Sequence, residues 1–201
     1  MYPSRVLTAV ALAVFAPCRL TFVRHGETVA NATGKYNART IDTFSAKGAR
    51  QVRDLAASLQ KQPKYDLILV SPSPRALRTA APYLKATGQK ATVWPLLYEC
   101  CTGRPSGKSA TKFGWGGKIT LPKDIAGLFR LAPTAQYPSS PTWGAGLAQV
   151  EASVRQFKRD YARGRVLIVG HSGHGGQFLA RLDGKKRHLE NAKPVETTVG
   201  R

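Results

Sequence analysis

Two histidines in this sequence directly follow apolar runs of the kind that form buried strands. The first run ends at Arg24 and His25, and the second ends just before His171. A third run, residues 66–70, is followed by Ser-Pro-Ser-Pro and then Arg75. Ligands bind outside the carboxyl ends of strands in open α/β sheets, so neighbouring strands would bring these side chains to one edge. Two imidazoles beside two guanidiniums, whose forks match phosphate oxygens, predict a site for a phosphoryl group. The alternative is that each histidine is a surface or capping residue.

Apolar runs and amphipathic stretches alternate along most of the chain. Strands are predicted near residues 20–23, 66–70, 91–97 and 165–169, and helices over residues 45–59, 75–86 and 148–162. Near-continuous apolar strands need cover on both faces. The pattern therefore predicts an α/β fold, with a mostly parallel sheet flanked by helices on both faces. Residues 103–146 interrupt this pattern, since Gly, Pro, Ser, Thr and Lys dominate there.

The composition predicts one basic globular domain. The chain has 201 residues, with 31 Lys and Arg against 11 Asp and Glu, and a net charge of +20. This excess favours anionic partners, namely phosphates, nucleic acid or an acidic lipid surface, without choosing among them. The scarcity of acids argues against a carboxylate-rich metal site. The cysteines Cys18, Cys100 and Cys101 are too few for a disulfide scaffold; Cys18 could bridge to one of the others, but we favour small core side chains.

Residues 1–18 are predicted to be a signal or leader segment. An uncharged apolar run, Val6–Ala16, follows Arg5 and is shorter than the roughly 20 residues that span a bilayer. We therefore expect no transmembrane span and an exported, periplasmic protein whose domain covers residues 19–201. The alternatives are a buried strand extension or a start-site artefact, with a cytoplasmic protein.

The motifs that carry this chemistry resemble those of the histidine phosphatase superfamily, which has the phosphoglycerate mutase-like fold. The opening motif, residues 20–28 with Asn31 after it, is the most specific of them. Further segments resemble family motifs in the same order along the chain: Asp42–Gly48, Ser71–Ala80, Leu97–Glu99, Val169–Ser172 and Asn191–Ala192. The resemblance runs from about residue 19 to residue 198, except for residues 104–145.

The resemblance implies a role for each matching residue. His25 would be the nucleophile that forms a phosphohistidine, and Glu99 would protonate the leaving oxygen and then deprotonate water. The phosphoryl oxygens would be bound by Arg24, Arg75 and His171. Thr28 and Asn31 would be secondary phosphate contacts, or only loop hydrogen bonds. The family needs no metal or other cofactor.

Two of these assignments leave alternatives open. His174 lies close behind His171 in the sequence and competes for its role, although His171 directly follows the strand and is favoured. Glu27 or Asp42 could be the proton donor in place of Glu99, which would then be a structural carboxylate.

The expected function is a metal-independent phosphomonoester hydrolase that works through a phosphohistidine. Some exported bacterial members of the superfamily are thought to act on phosphorylated cell-envelope sugars, and the leader with the basic charge resembles that branch. Residues 104–145 are expected to form a basic, aromatic lid-like insertion over the site, or a solvated loop. The alternatives are a phosphoglycerate mutase-type phosphotransferase and a non-catalytic polyanion-binding protein. The basic residues are spread along the chain, which argues against a nucleic acid partner.

Overall fold

The computed structural model describes residues 17–101 and 114–200. These residues contain a six-stranded sheet with the strand order β4-β3-β2-β5-β1-β6. The strands are β1 (Cys18–Arg24), β2 (Leu67–Val70), β3 (Ala91–Val93), β4 (Phe129–Arg130), β5 (Arg165–Gly170) and β6 (Pro194–Val199). All neighbouring strands are parallel except β6, which runs antiparallel to β1. The sheet is therefore mostly parallel, as predicted.

Helices connect the strands and begin at recognisable signals. They are α1 (Val29–Thr33), α2 (Ala46–Gln60), α3 (Pro74–Thr87), α4 (Trp143–Gln156) and α5 (Ser172–Asp183), and α4 continues into a π-helical turn over Phe157–Tyr161. The Ser45 hydroxyl accepts a hydrogen bond from the Gly48 N–H at the start of α2, and Thr142 caps α4 in the same way. Proline occupies the first position of α3, where no N–H is needed.

The sheet separates two hydrophobic clusters because side chains alternate along each strand. Val23, Leu167 and Val169 pack with residues of α2 and α3 on one face. Phe22 and Ile168 pack with residues of α4 and α5 on the other face. Helices therefore cover both faces of the sheet, which confirms the predicted fold class.

The structure differs from the prediction mainly at element ends. The third strand stops at Val93 instead of residue 97, and Pro95–Leu97 forms a 3₁₀ turn. The fourth helix begins at Trp143 rather than Ala148, because the Thr142 hydroxyl supplies a cap that the prediction overlooked. The elements α1, β4, α5 and β6 were not among the predicted strands and helices.

The first strand begins at Cys18, the last residue of the predicted leader. Cys18 is buried, while residues 1–16 lie outside the described residues. Of the helices in the described segments, none is long and apolar enough to cross a membrane.

Candidate active site

Three central strands end side by side and bring the predicted site residues together. The backbone N–H of His25 donates to the Gly170 carbonyl at 3.0 Å, and that of Ser71 donates to the Val169 carbonyl at 2.9 Å. The rings of His25 and His171 lie with their centroids 5.3 Å apart. The carboxyl ends of β1, β2 and β5 thus form one edge, and both imidazoles lie within reach of one tetrahedral anion.

Buried His25 is held in a single neutral tautomer. Its Nδ1 donates a hydrogen bond to the Gly26 carbonyl at 2.8 Å, so Nε2 carries the lone pair. Burial holds the pKa of His25 well below its usual value, and the charges of Arg75 and Arg24 lower it further, against the opposing effect of the Gly26 hydrogen bond. The amide of Asn191 donates to the His25 carbonyl at 2.8 Å and anchors the backbone. Nε2 is therefore available as a nucleophile near neutral pH.

Buried His171 is held in the opposite tautomer. An Nη2–H of Arg75 donates to its Nδ1 at 3.3 Å, so its Nε2 carries the proton. That nitrogen lies 2.7 Å from the Ser71 hydroxyl oxygen and 2.9 Å from that of Ser73, which accept from it. Burial lowers the pKa of His171 well below its usual value, and the guanidinium of Arg75 adds to the effect. His171 is therefore neutral, with its proton on Nε2.

Arg75 and Arg24 supply the positive charge of the site. Arg75 is buried at the start of α3, where the carboxylate of Asp42 accepts from its Nη1 at 3.0 Å and from its backbone N–H at 3.2 Å. Arg24 donates from Nη1 to the Leu189 carbonyl at 3.0 Å. Its Nε is buried and has no hydrogen-bond partner in the described part of the chain. Each arginine thus has donor capacity left for phosphate oxygens.

The carboxyl group of Glu99 lies at the N-terminus of α5. The N–H of His174 donates to Oε1 at 2.9 Å, and that of Gly173 lies 3.4 Å from Oε2. Burial raises the pKa of Glu99, although these two N–H groups and the charges of Arg75 and Arg24 lower it in part. A carboxyl group whose pKa is raised in this way suits a proton donor.

His174 and Glu27, the alternatives to His171 and Glu99, make contacts of a different kind. His174 is fully buried, stacks on Phe178 and lies 3.1 Å from the Ser153 hydroxyl, so it packs between α4 and α5. Glu27 forms an ion pair with Lys47 at 3.0 Å.

Thr28 and Asn31 form the capping box of α1. The Asn31 N–H donates to the Thr28 hydroxyl, and the Asn31 carboxamide oxygen accepts from the Thr28 N–H and hydroxyl. Asn31 also lies 3.4 Å from the Asn191 amide, which binds the His25 backbone. The hydrogen bonds of these two residues therefore hold the loop that follows β1.

An apolar cleft adjoins Arg75 and leads out of the site. It has a volume of about 170 Å³, and its walls include Ile41, Tyr98 and Tyr137. The two tyrosine rings lie 4.9 Å apart, and the Tyr137 hydroxyl donates to the Pro72 carbonyl at 3.3 Å. Gly114 and Tyr137 belong to the predicted insertion and line the cleft, whereas residues 104–113 of the insertion lie outside the described residues.

All three cysteines are buried free thiols. The sulfur atoms of Cys100 and Cys101 lie 3.1 Å apart, and neither cysteine is bridged to Cys18. The interpretation as small core side chains agrees with this packing, and the bridge to Cys18 that was considered as an alternative is wrong.

Sequence reasoning did not predict the positioning contacts of several residues that hold the site. Ser71 and Ser73 fix the tautomer of His171, Asp42 orients Arg75, and Asn191 fixes the His25 backbone. The serines could have been found from the sequence, because both stand between a predicted strand and Arg75, at the edge where the histidines were expected. Asn191 matches a family motif, but its contact with the His25 backbone has no local signal, because the two residues lie 166 positions apart.

Comparison with known proteins identifies the class of enzyme that this site belongs to. A family model for the histidine phosphatase superfamily (branch 1) matches residues 20–198. Adenosylcobalamin/alpha-ribazole phosphatase of Salmonella typhimurium strain LT2 is 35% identical over 173 residues, which cover 82% of this chain and 79% of that protein.

Solved structures show the same fold at lower sequence identity. The alpha-ribazole phosphatase of Shigella flexneri matches with a TM-score of 0.62 at 21% identity, over 91% of this chain and 94% of its own. A mycobacterial glucosyl-3-phosphoglycerate phosphatase matches with a TM-score of 0.60 at 21% identity, over 89% and 90% of the two chains. The fold and the strand-end site together define a phosphoryl-transfer enzyme of the phosphoglycerate mutase-like class. The chain belongs to the histidine phosphatase superfamily, and its activity is that of a phosphatase.

Proposed function

We propose that this chain hydrolyses phosphomonoesters without a metal ion, through a phosphohistidine formed at Nε2 of His25. The observation that carries the proposal is the hydrogen bond from Nδ1 of this buried ring to the Gly26 carbonyl at 2.8 Å, which leaves Nε2 unprotonated. A nucleophilic imidazole must present a lone pair, and burial with a lowered pKa keeps the ring neutral.

In the first step, Nε2 of His25 attacks phosphorus and the bond from phosphorus to the ester oxygen breaks. Glu99 gives its proton to that oxygen, so the product alcohol leaves neutral. Arg24 and Arg75 bind the equatorial oxygens, where negative charge is spread in the transition state. His171 can join them as a cation if it takes up a proton from solvent at Nδ1 when the phosphate dianion binds, since its Nε2 proton is already donated to the Ser71 and Ser73 hydroxyls.

In the second step, water attacks the phosphohistidine and the bond from phosphorus to Nε2 breaks. The Glu99 carboxylate formed in the first step takes a proton from the attacking water. Inorganic phosphate then leaves, with the His25 ring neutral and Glu99 protonated again. A single carboxyl group serves both steps because the proton that it loses in the first step returns in the second.

We propose that the organic part of the substrate carries a ring, as in a phosphorylated sugar of the cell envelope. The cleft beside Arg75 supports this proposal, because Ile41 and Tyr137 give it an apolar, aromatic wall. The names of two similar proteins, an alpha-ribazole phosphatase and a glucosyl-3-phosphoglycerate phosphatase, also favour a bulky phosphomonoester. We expect Tyr137→Ala to raise KM for such substrates more than for phosphoserine, which is too small to fill the cleft; an equal effect on both would contradict the ring preference.

The catalytic proposal is tested by hydrolysis of an aryl phosphate in the presence of a chelator. We expect turnover by the unaltered protein and loss of turnover in His25→Ala. His188→Ala is the control, because His188 is an exposed histidine. An acid-labile, base-stable phosphoprotein should be trapped from the unaltered protein and be absent from His25→Ala.

The other candidate functions give different results in the same assay. Turnover that depends on a metal ion, or that survives in His25→Ala, contradicts the proposal. Absence of turnover together with tight, salt-sensitive polyanion binding identifies a binding protein on the same fold. Phosphoryl transfer between carbon positions of phosphoglycerate, faster than release of phosphate, identifies a mutase.

We also propose that the leader directs export to the periplasm. Cleavage after Ala13 or Ala16 would leave β1 whole, because that strand begins at Cys18. The amino-terminal sequence of protein recovered from a periplasmic fraction tests this. A protein found only in the cytoplasm with Met1 retained would contradict it.

A further inference from the structure

A polar cavity of about 490 Å³ lies at the end of the sheet opposite His25. Its walls include Arg19 of β1, Arg165 at the start of β5, Thr198 of β6 and Gln62 just after α2. Strands rise about 3.3 Å per residue, so the backbone of Arg19 lies about 20 Å from that of His25. The cavity is therefore separate from the phosphate site described above.

Strand register brings two arginines together in this cavity. Arg19 is the partner of Arg165 in the parallel pair β1–β5, and Thr198 is its partner in β6. Side chains alternate along a strand, so Arg19 shares a face of the sheet with Val23, which packs in the core beneath α2 and α3. Neighbouring strands lie about 4.8 Å apart, so the two guanidiniums start from adjacent positions on one face.

Neither arginine of this pair forms an ion pair in the described part of the protein, although the Asp66 carboxylate accepts a hydrogen bond from the Arg165 backbone N–H at 2.7 Å. No ion pair or side-chain hydrogen bond involves the guanidinium of Arg19 or Arg165 there, and Nε of Arg165 is buried without a partner. The Arg165 guanidinium lies 5.4 Å from the centroid of the Tyr65 ring. Glu196 also lines the cavity but is not ion-paired with either arginine. Like charges opposite each other on a sheet are destabilising, and so is a buried unpaired donor.

We propose that this cavity is a second anion site, which binds a phosphate-bearing ligand through Arg19 and Arg165. Two guanidiniums from adjacent strands can each donate to phosphate oxygens, and a bound dianion removes their mutual repulsion. The Thr198 hydroxyl and the Gln62 amide add neutral donors at the rim. A soluble phosphorylated compound and a phospholipid headgroup share this chemistry, so the experiment has an arm for each.

The first arm titrates the full chain with inorganic phosphate and follows backbone amide signals by NMR. Phosphate also binds at the catalytic site, so the readout must be local. We expect two sets of shifts, one at Gly26 and Gly173 beside the catalytic residues and one at Thr21, Gln62 and Thr198. Arg19→Gln and Arg165→Gln should each weaken binding at the second set about tenfold, since each removes charge-assisted hydrogen bonds.

Two further variants separate a built site from general charge. Arg53→Gln removes the same charge from an exposed position on α2. It should change the phosphate affinity measured from the second set of signals by less than about twofold. Glu196→Gln removes a negative charge from the cavity and should tighten binding. The proposal is wrong if phosphate shifts only the signals beside the catalytic residues. It is also wrong if Arg53→Gln weakens phosphate binding at the cavity as much as Arg19→Gln and Arg165→Gln do. Neither cavity arginine touches the catalytic residues, so kcat for aryl phosphate hydrolysis should be unchanged.

The second arm identifies the source of the phosphate. The full chain is sedimented with vesicles of phosphatidylglycerol and, separately, of phosphatidylcholine. Binding to phosphatidylglycerol vesicles that falls in Arg19→Gln and Arg165→Gln but not in Arg53→Gln assigns the site to an anionic lipid headgroup. Equal sedimentation of all variants, with the NMR shifts as expected, assigns it to a soluble phosphorylated ligand.

Discussion

Burial shifts the pKa values of the two main ionisable groups of the catalytic site, His25 and Glu99, in opposite directions. Burial disfavours the charged form of each group, so it lowers the pKa of His25 and raises that of Glu99. Both shifts favour the coexistence of a neutral base and a protonated acid. This is the pair of protonation states that attack by nitrogen and departure of an alcohol require.

These shifts predict the pH dependence of kcat/KM. On the acid side, activity is lost as His25 gains a proton, and this limb should lie well below its usual pKa of 6.5. On the alkaline side, activity is lost as Glu99 loses its proton, and this limb should lie above the usual 4.5. In Glu99→Gln the alkaline limb should disappear. The loss of kcat/KM in this variant should also be smaller for an aryl phosphate than for an alkyl phosphate, because a phenolate can leave without being protonated by an acid. An unchanged alkaline limb in this variant would contradict the role of Glu99.

The hydroxyls of Ser71 and Ser73 are predicted to position His171. Removing both leaves its buried Nε2–H without an acceptor, which should lower kcat about 10-fold to 100-fold. Either single alanine variant should lose less, since one hydroxyl remains, and Ser73→Thr should retain activity. ¹⁵N signals of the His171 ring report the tautomer directly and should change in the double variant.

Ser153→Ala is the matched control for the serine prediction. It also removes a buried serine hydroxyl beside a buried histidine, because Ser153 lies 3.1 Å from Nε2 of His174. It should reduce stability in a comparable way and leave kcat within about twofold, since the His174 ring packs between helices and only the backbone N–H of His174 reaches Glu99. If Ser153→Ala lost as much kcat as the double alanine variant of Ser71 and Ser73, the loss in the double variant would come from general destabilisation.

At the scale of elements, a glycine of α2 packs against the catalytic loop, the segment of residues 25–28 between β1 and α1. A Cβ on Gly48 would lie 1.8 Å from the backbone oxygen of Glu27, so only glycine fits this contact. Gly48→Ala should lower the free energy of unfolding by about 1–3 kcal/mol and displace the loop after His25, which lowers kcat as well. Denaturant unfolding measures the first effect and aryl phosphate hydrolysis the second.

Gly127→Ala is the control for this contact. An added Cβ there meets no atom within 4 Å, and the backbone of Gly127 is not left-handed. We expect little change in stability or activity. If Gly48→Ala is also harmless, α2 does not hold the catalytic loop as tightly as the packing indicates.

Sequence patterns predicted those elements whose evidence is local. The buried strands β1, β2 and β5 and the helices α2 and α3 were found from runs and spacing within a few residues. The edge strand β6 was missed because its residues alternate between exposed and half-buried, so no continuous apolar run marks it. At the site, the residue types at strand ends predicted His25, His171 and Arg75, whereas the Asn191 contact depends on chain folding over a long separation.

At the scale of the whole molecule, excess positive charge surrounds both ends of the sheet. The net charge of +20 attracts a dianionic substrate over distances beyond direct contact. The cavity arginines at the far end add to this charge without touching the catalytic residues. Long-range attraction acts on the approach of the substrate, whereas Arg24 and Arg75 are proposed to act on the bound phosphoryl group.

Long-range attraction of the substrate and direct contact with the phosphoryl group are predicted to differ in their salt dependence. Raising ionic strength shortens the screening length, from about 10 Å at 0.1 M to about 3 Å at 1 M, and weakens attraction between separated charges. We expect kcat/KM to fall steadily with added sodium chloride while kcat changes little, because the partly buried arginines contact the phosphoryl group directly. Steady-state kinetics from 0.02 to about 0.5 M salt measures both parameters. Arg53→Gln should lower kcat/KM slightly at low salt and not at high salt. A kcat that falls in parallel with kcat/KM would mean that salt acts on the bound state, and would contradict long-range steering.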